Sequence, residues 1–435
     1  MGMTVRSAMT ALFALLSVFA SAVSQADEVW ILRTDLWRSP AFSTLRVHED
    51  ASRLSGTLDG DAIEGKVEKD WLSIASTDKQ GQVSRYRLQR MGASVTGTAD
   101  LPDPNDATRR ATHAVTGWRV PERQGPPRTI DYHPTDYSNT WDADRHPVLV
   151  VWPGDTIHTT TIDSGGVDEN GKTQALFGNP QTGPFFIAGA EPGDTLVVHI
   201  RRLHLNRDYA DSLDTVVGRA LGMSLANGAA ALGRPVRWTL DREKGLARPQ
   251  GATGALADFA VPVKPMLGGL AVAPGFGMPP ISTGDTARFG GNMDFNEVIE
   301  GNTVYLPVQQ PGALLYMGDA HALQGEGETS QYALETSMDV TVTVDVIHGR
   351  SVSMPRVESP SQIMVLGQAG SLDEALKFAS TGMIQWLQQD YGMTLSQAAQ
   401  VMGSAVHFTV ANLAGRSVGV AAKLDKSLLP APRRE

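Results

Sequence analysis

Apolar residues recur at every second position in much of this chain from Pro147 onward, and that spacing limits what it can become. Val340, Val342, Val344 and Val346 alternate with Thr341, Thr343 and Asp345. Leu196, Val198 and Ile200 alternate in the same way with Val197, His199 and Arg201. A period of two is the signature of a strand with one buried face. Val148–Trp152 and Thr156–Asp163 flank the turn Pro153-Gly154-Asp155, and Pro192-Gly193-Asp194 repeats that turn ahead of Leu196. With 44 Gly and 25 Pro in 435 residues, turns are dense enough to predict a mainly β protein of short strands.

The period changes to helical only near the C-terminus. Leu372, Ala375, Leu376, Ala379, Met383, Ile384, Leu387 and Tyr391 fall on one stripe. Ser371 and Glu374 read as a capping box, Gly392 as the stop, and Thr394 with Gln397 as a second box opening a helix through about Met402. Val406, Phe408 and Val410 return to strand. The expected fold is therefore mainly β with an α+β portion and a C-terminal helix pair.

A chain this long exceeds one average core, so two or three domains are expected. Residues 1–26 read as a secretory signal. Arg6 is the only charge before Asp27, Ala8 to Ala22 is apolar, and Ser24-Gln25-Ala26 offers small residues at a cleavage site. The run is short and Ala/Ser-rich for a membrane span, so cleavage near Ala26 and a periplasmic or secreted protein are expected, with no membrane insertion afterwards. Residues 27–101 carry six short strand patterns separated by turns such as Asp59-Gly60, which suggests a small antiparallel β module. Residues 102–127, polar and with five prolines, read as a linker. The main body is then 128–435, with 218–262, rich in Ala, Gly and Leu, as an irregular excursion.

Composition excludes several functions. A net charge of −10 argues against nucleic-acid binding, which needs a positive footprint. The absence of cysteine removes disulfides, thiolate ligands and a Cys nucleophile. Gly415-Arg416-Ser417-Val418-Gly419 matches a nucleophile-elbow pattern, but more strand than helix follows it and no His lies beyond His407, so a hairpin turn is the better reading.

Chemistry-bearing residues concentrate in three stretches: 182–194, Gly290-Gly291-Asn292-Met293-Asp294, and 318–328 followed by Glu335. The third packs Asp319, His321, Gln324, Glu326 and Glu328 between two strand patterns. A His among carboxylates offers ligands for zinc, manganese or calcium. On spacing alone, a solvated polar loop is the plainer alternative.

These ordered runs resemble the acetamidase/formamidase family from about 147 to 426. The matching segments are 147–156, 182–196, Pro265-Met266-Leu267-Gly268, 290–294, 305–314, 318–328, Leu372 to Ala375 and Tyr391 to Thr394. The resemblance implies hydrolysis of a small linear amide, of formamide or acetamide type, to ammonia and a carboxylic acid. It also implies a β-sandwich-like body, a divalent metal (zinc or calcium the leading candidates) and a homo-oligomer. Carried over by position, Asp294, His321, Glu328 and Glu335 lead the site, with Asp163, Glu191, Asp319 and Gln324 behind them. Glu328, Asp294 and Glu335 are the expected catalytic carboxylates, and Asp294, His321, Glu335, Asp163 and Glu191 the expected metal ligands. His133 is a further candidate. The N-terminal module and export signal depart from simple members of the family, which leaves open an exported binding protein that keeps the fold without activity, or a hydrolase of a larger amide.

Overall fold

The structure, a computed structural model, describes residues 27–433; the expected signal segment, 1–26, lies outside the described residues. Eight antiparallel strands open the fold: β1 (Glu28–Leu36), β2 (Ser39–Asp50), β3 (Arg53–Leu58), β4 (Asp61–Glu68), β5 (Trp71–Thr77), β6 (Val83–Met91), β7 (Ser94–Asp103) and β8 (Asp106–Arg119). Each pairs with the next, and β1 pairs back onto β8 from Trp30↔Arg119 to Thr34↔Val115, which closes a barrel. Closure leaves no free strand edge. Inward-facing Trp30, Leu32, Leu45, Leu54, Leu72, Leu88 and Val115 form one buried cluster inside it. Tight hairpins make the meander possible. Asp59 and Gly60 take φ of 51° and 90°, as a two-residue turn requires.

The barrel corrects one boundary. Residues 106–119, expected in a linker, form its last strand. His113 and Val115 point inward while Thr112, Ala114 and Thr116 are exposed. That alternation is short and flanked by prolines, yet the prolines sit where they do not interrupt it: Pro104 in the turn, and Pro121, Pro126 and Pro127 beyond the strand. Backbone pairing with β1 and β7 supplies the hydrogen bonds of this polar segment.

The barrel docks on the body through Ile31, Val120, Phe186, Ala188, Ala273 and Leu314. Trp118 meets Phe186 edge-to-face at 4.9 Å. Two ion pairs rim this patch, Arg33 with Asp144 at 2.5 Å and Arg46 with Glu191 at 2.8 Å.

The body consists of two large sheets over a shared core. Val340, Val342 and Val344 on Met338–Ile347 pack with Leu196, Val198 and Ile200 of the neighbouring strand Thr195–Leu205. The other sheet contributes Phe185, Leu267, Leu270, Leu315 and Met317 to the same core. Its strand Leu315–His321 is buried at every position and pairs with Met266–Ala271, Gln181–Ile187 and Glu335–Thr336. The segment 218–262 is more regular than its composition suggests. It holds a short helix α1 (Met223–Ala229) and a hairpin of Pro235–Asp241 with Leu246–Pro249 that extends this sheet. Val236, Trp238 and Leu240 carried a period of two, diluted by surrounding Ala and Gly.

The C-terminal helices form as expected, as α2 (Leu372–Tyr391) and α3 (Leu395–Ala405). The Ser371 hydroxyl accepts from the Glu374 N–H, Gly392 closes α2 in the left-handed conformation, and Thr394 with Gln397 completes a reciprocal box. Such caps are each worth about 1 kcal/mol. Of the expected stripe, Ala375, Ala379, Met383 and Leu387 are buried, while Leu372 and Leu376 at the N-terminal end face solvent. Gly367 lets α2 approach the sheet closely: a Cβ there would lie 2.0 Å from the Ala375 carbonyl oxygen. Among the described residues no helix is long and apolar enough to cross a membrane.

Candidate metal centre

Strand geometry assembles the site. Asp319 and His321 are two apart on Leu315–His321, so their side chains leave the same face. Glu335 is paired directly opposite His321 and joins them. Asp294 arrives from the strand Gly290–Asn292, anchored where the Asp294 N–H donates to the Gly268 carbonyl. Glu328 lies in the loop after His321, held by the C-terminal hairpin: Gly327 N–H donates to Ala411 and Leu413 N–H donates to Gly327.

The five side chains converge. His321 Nε2 lies 3.4 Å from Glu335 Oε2, 3.5 Å from Asp319 Oδ1 and 3.9 Å from Asp294 Oδ1. Two ligand triads form, Asp294–His321–Glu328 and Asp319–His321–Glu335, each with its ligand atoms within 4.8 Å of one another. None of the five residues is more than 5% exposed.

Such crowding shifts their titration. Burial, then the charge of Asp319, raises Asp294 to about 7. Burial raises Glu335 to about 8 against the pull of His321, and burial with the neighbouring Asp294 carries Glu328 well above the usual carboxylate range. Burial opposes the His321 imidazolium, but Glu335, Asp319 and Asp294 together outweigh it and raise that group to about 10.

The donor set fits a divalent cation. Asp294 Oδ1, Asp319 Oδ1, Glu328 Oε2, Glu335 Oε2 and both nitrogens of His321 are buried without a hydrogen-bond partner. Leaving so many polar atoms unpaired is costly, and a cation bound at about 2.0–2.2 Å by N and O ligands spans separations of this size. Backbone strain marks the same residues. Asp294, Asp319 and Glu328 all take positive φ, at 41°, 52° and 39°. Each such residue costs of order 1–3 kcal/mol, and such costs cluster at functional sites.

An amide network aims the carboxylates. Asp294 Oδ2 accepts from Asn292 Nδ2 at 2.5 Å and Asn412 Nδ2 at 2.6 Å, which leaves Oδ1 facing His321. Asn179 Nδ2 donates to Asn292 Oδ1 and Asp319 Oδ2, and Gln324 Nε2 donates to the Asp294 carbonyl. Sequence reasoning missed Asn179 and Asn412, which are remote in the chain; Asn292 was visible two residues before Asp294.

Three expected candidates lie elsewhere. Glu191 sits at the barrel–body junction, where its carboxylate accepts from Thr44 Oγ1 and Arg46, so it is not near the centre. Asp163 stands behind the site, paired at 2.7 Å with the buried Arg207. That guanidinium also donates to the Glu335 carbonyl and to Thr336 Oγ1, so Asp163 supports the Glu335 strand instead of facing the ligand atoms. His133 is exposed just beyond Thr129–Tyr132. Gly415 to Gly419 runs from the loop after His407–Asn412 into Val418–Asp425, in keeping with the hairpin reading.

A cavity of about 250 Å³ opens above the centre, with Asp294, Asp319, Glu328 and Glu335 at its floor. A second, of about 290 Å³, lies at the barrel–body junction, where Arg33 and Asp144 satisfy each other.

Fold and site together define a mainly β body of two large sheets built around a buried carboxylate–histidine centre. Residues 278–412 match the model of the acetamidase/formamidase family. A 59-residue stretch is 41% identical to a Schizosaccharomyces pombe protein named as a candidate formamidase; that stretch is 13% of this chain and 14% of the relative. An acetamidase from Yersinia enterocolitica is similar in structure, with a TM-score of 0.59 and 27% identity over 69% of this chain and 94% of the other. An acetamidase from Bacillus halodurans gives 0.57 and 25%, over 68% and 98%. The body of this chain thus resembles the acetamidase/formamidase family in sequence and in fold, as its motifs predicted.

Proposed function

We propose that this protein is a metal-assisted hydrolase that cleaves the C–N bond of a primary carboxamide to release ammonia and a carboxylic acid, with formamide and acetamide as its simplest substrates. One observation carries the reading: acidic and imidazole side chains from two distant glycine-rich segments meet in a buried cluster below an open cavity.

Asp294, His321 and Glu335 would hold a divalent ion, with Asp319 and Glu328 beside them. Such an ion lowers the pKa of a bound water and polarises a carbonyl oxygen. Glu328 is the general base. It takes a proton from the attacking water and returns it to the departing nitrogen, so the C–O bond forms, the C–N bond breaks and ammonia leaves. Burial raises the Glu328 carboxyl, the direction in which a carboxylate is tuned for acid–base work. Asn292 and Asn412 keep Asp294 aimed, and Arg207 holds the strand that carries Glu335. Export across a membrane and assembly with copies of itself belong to the same proposal.

Elemental analysis and ammonia release test it together. The purified protein should carry a stoichiometric divalent ion and hydrolyse formamide or acetamide. Asp294→Asn and His321→Ala should each abolish turnover and reduce bound metal without loss of fold. A folded protein with no bound ion and no ammonia released from any amide would favour a binding protein instead.

A further inference from the structure

The cavity above the centre is divided by polarity. Its floor is acidic, but its mouth carries Phe177 and Tyr332, whose rings meet edge-to-face at 6.1 Å. Phe177 is 64% exposed. What sets Phe177 apart from other exposed apolar side chains is its pairing with Tyr332 at the rim of the cavity.

The backbone that carries the Phe177 ring is held in place. Asn139 Nδ2 donates to the carbonyls of Leu176, Phe177 and Gly178 at 3.1–3.3 Å, and Thr283 Oγ1 donates to Gly178 at 2.7 Å. A rim fixed in advance loses little entropy when a ligand arrives. The Gly415–Arg416 lining of the cavity is also braced, since Arg219 donates to the carbonyls of both residues.

Size and charge narrow the ligand. A cavity of about 250 Å³ is larger than a C1 or C2 amide fills. The acidic floor repels an anionic substituent, and Arg416, the cation at the mouth, is already paired with Asp285 at 3.1 Å. Among uncharged substituents, the aromatic rim of Phe177 and Tyr332 favours a flat apolar ring.

We infer that the mouth is the subsite for an aromatic substituent, with Phe177 and Tyr332 as specificity-determining residues, so that the preferred substrate is a neutral primary carboxamide bearing an aryl or arylmethyl group. This rests on the amide-hydrolase reading, with the amide at the floor and the ring packed against the Phe177–Tyr332 pair. Aromatic pairs favour edge-to-face or offset geometry, so a substrate ring packed on Phe177 or Tyr332 gains beyond its buried area.

The test compares kcat/KM for phenylacetamide and acetamide, by ammonia release, in the wild type, Phe177→Ala, Tyr332→Ala and Phe177→Tyr. Binding of phenylacetamide to Glu328→Gln, with and without Phe177→Ala, is measured by calorimetry. The wild type should prefer phenylacetamide at least tenfold. Phe177→Ala and Tyr332→Ala should each shrink that ratio by about tenfold, in the range expected of an apolar pocket, and Phe177→Tyr should restore it. Turnover of acetamide with no preference for phenylacetamide overturns the subsite while leaving amide hydrolysis standing. An unchanged ratio and unchanged binding in Phe177→Ala overturns it too. No turnover of any amide, with phenylacetamide binding that weakens in Phe177→Ala, supports the subsite and removes the hydrolase reading.

Discussion

Gly268 offers a sharp test of the centre. It lies on the buried strand Met266–Ala271, beneath two of the carboxylates. A Cβ there would sit 2.5 Å from Asp294 Oδ1 and 2.7 Å from Asp319 Oδ2. Ordinary contact begins near 3.4 Å, so Gly268→Ala must push these oxygens back by 3.4 − 2.5 = 0.9 Å and 3.4 − 2.7 = 0.7 Å. Gly268 is not among the glycines at positive φ, so the substitution acts through crowding and not through the backbone. Overpacking of this kind costs about 1–3 kcal/mol of stability. Misplacing a reacting group by about 1 Å costs about 100-fold in rate. The expected variant is folded, somewhat less stable, weaker in metal binding and about 100-fold slower. Circular dichroism and thermal unfolding check the fold, equilibrium dialysis the metal, and ammonia release the rate. A folded Gly268→Ala protein with wild-type turnover and full metal occupancy would refute the placement of Asp294 and Asp319 at the reacting centre.

Other perturbations separate function from stability. Glu328→Gln should lower kcat by about 100- to 10,000-fold, as loss of a general base does, while the metal-free protein becomes no less stable, because the neutral amide replaces a carboxyl that burial already favours in its neutral form; a kcat within threefold of wild type would reassign the base. The metal-free protein should lose stability as pH rises from 6 to 9. Asp294, Glu335 and His321 are all raised, to about 7, 8 and 10, so the folded state holds more protons than the unfolded state and each step up in pH favours unfolding. A bound divalent ion should flatten that slope; flat or rising thermal midpoints in chelator-treated protein would contradict it. Gly403→Ala, on the exposed face of α3 with nothing within 4 Å of the added Cβ, should stabilise the protein by about 0.5–1 kcal/mol through helix propensity and leave turnover unchanged. A lower thermal midpoint would argue against α3 as a regular helix there.

Local pattern determined much of this protein before any coordinates. A period of two in Val340–Val346 and Leu196–Ile200 reports strands because side chains on a pleated backbone alternate faces. Ser371, Gly392 and Thr394 report helix ends because they satisfy the orphan groups that every helix end exposes. The family resemblance, and the choice of Asp294, His321, Glu328 and Glu335, also came from ordered motifs. Other features depend on which distant segments pair. Residues 106–119 became a barrel strand only because β1 returns to meet them. Asn412 reaches Asp294 across 118 positions, and Arg207 ties Asp163 behind Glu335 instead of in front of it. Glu191, placed in the site by its motif, was drawn to Arg46 once the barrel docked. Sequence carries residue type and local period, whereas a binding centre is a matter of distance between remote atoms, and tertiary packing alone decides that.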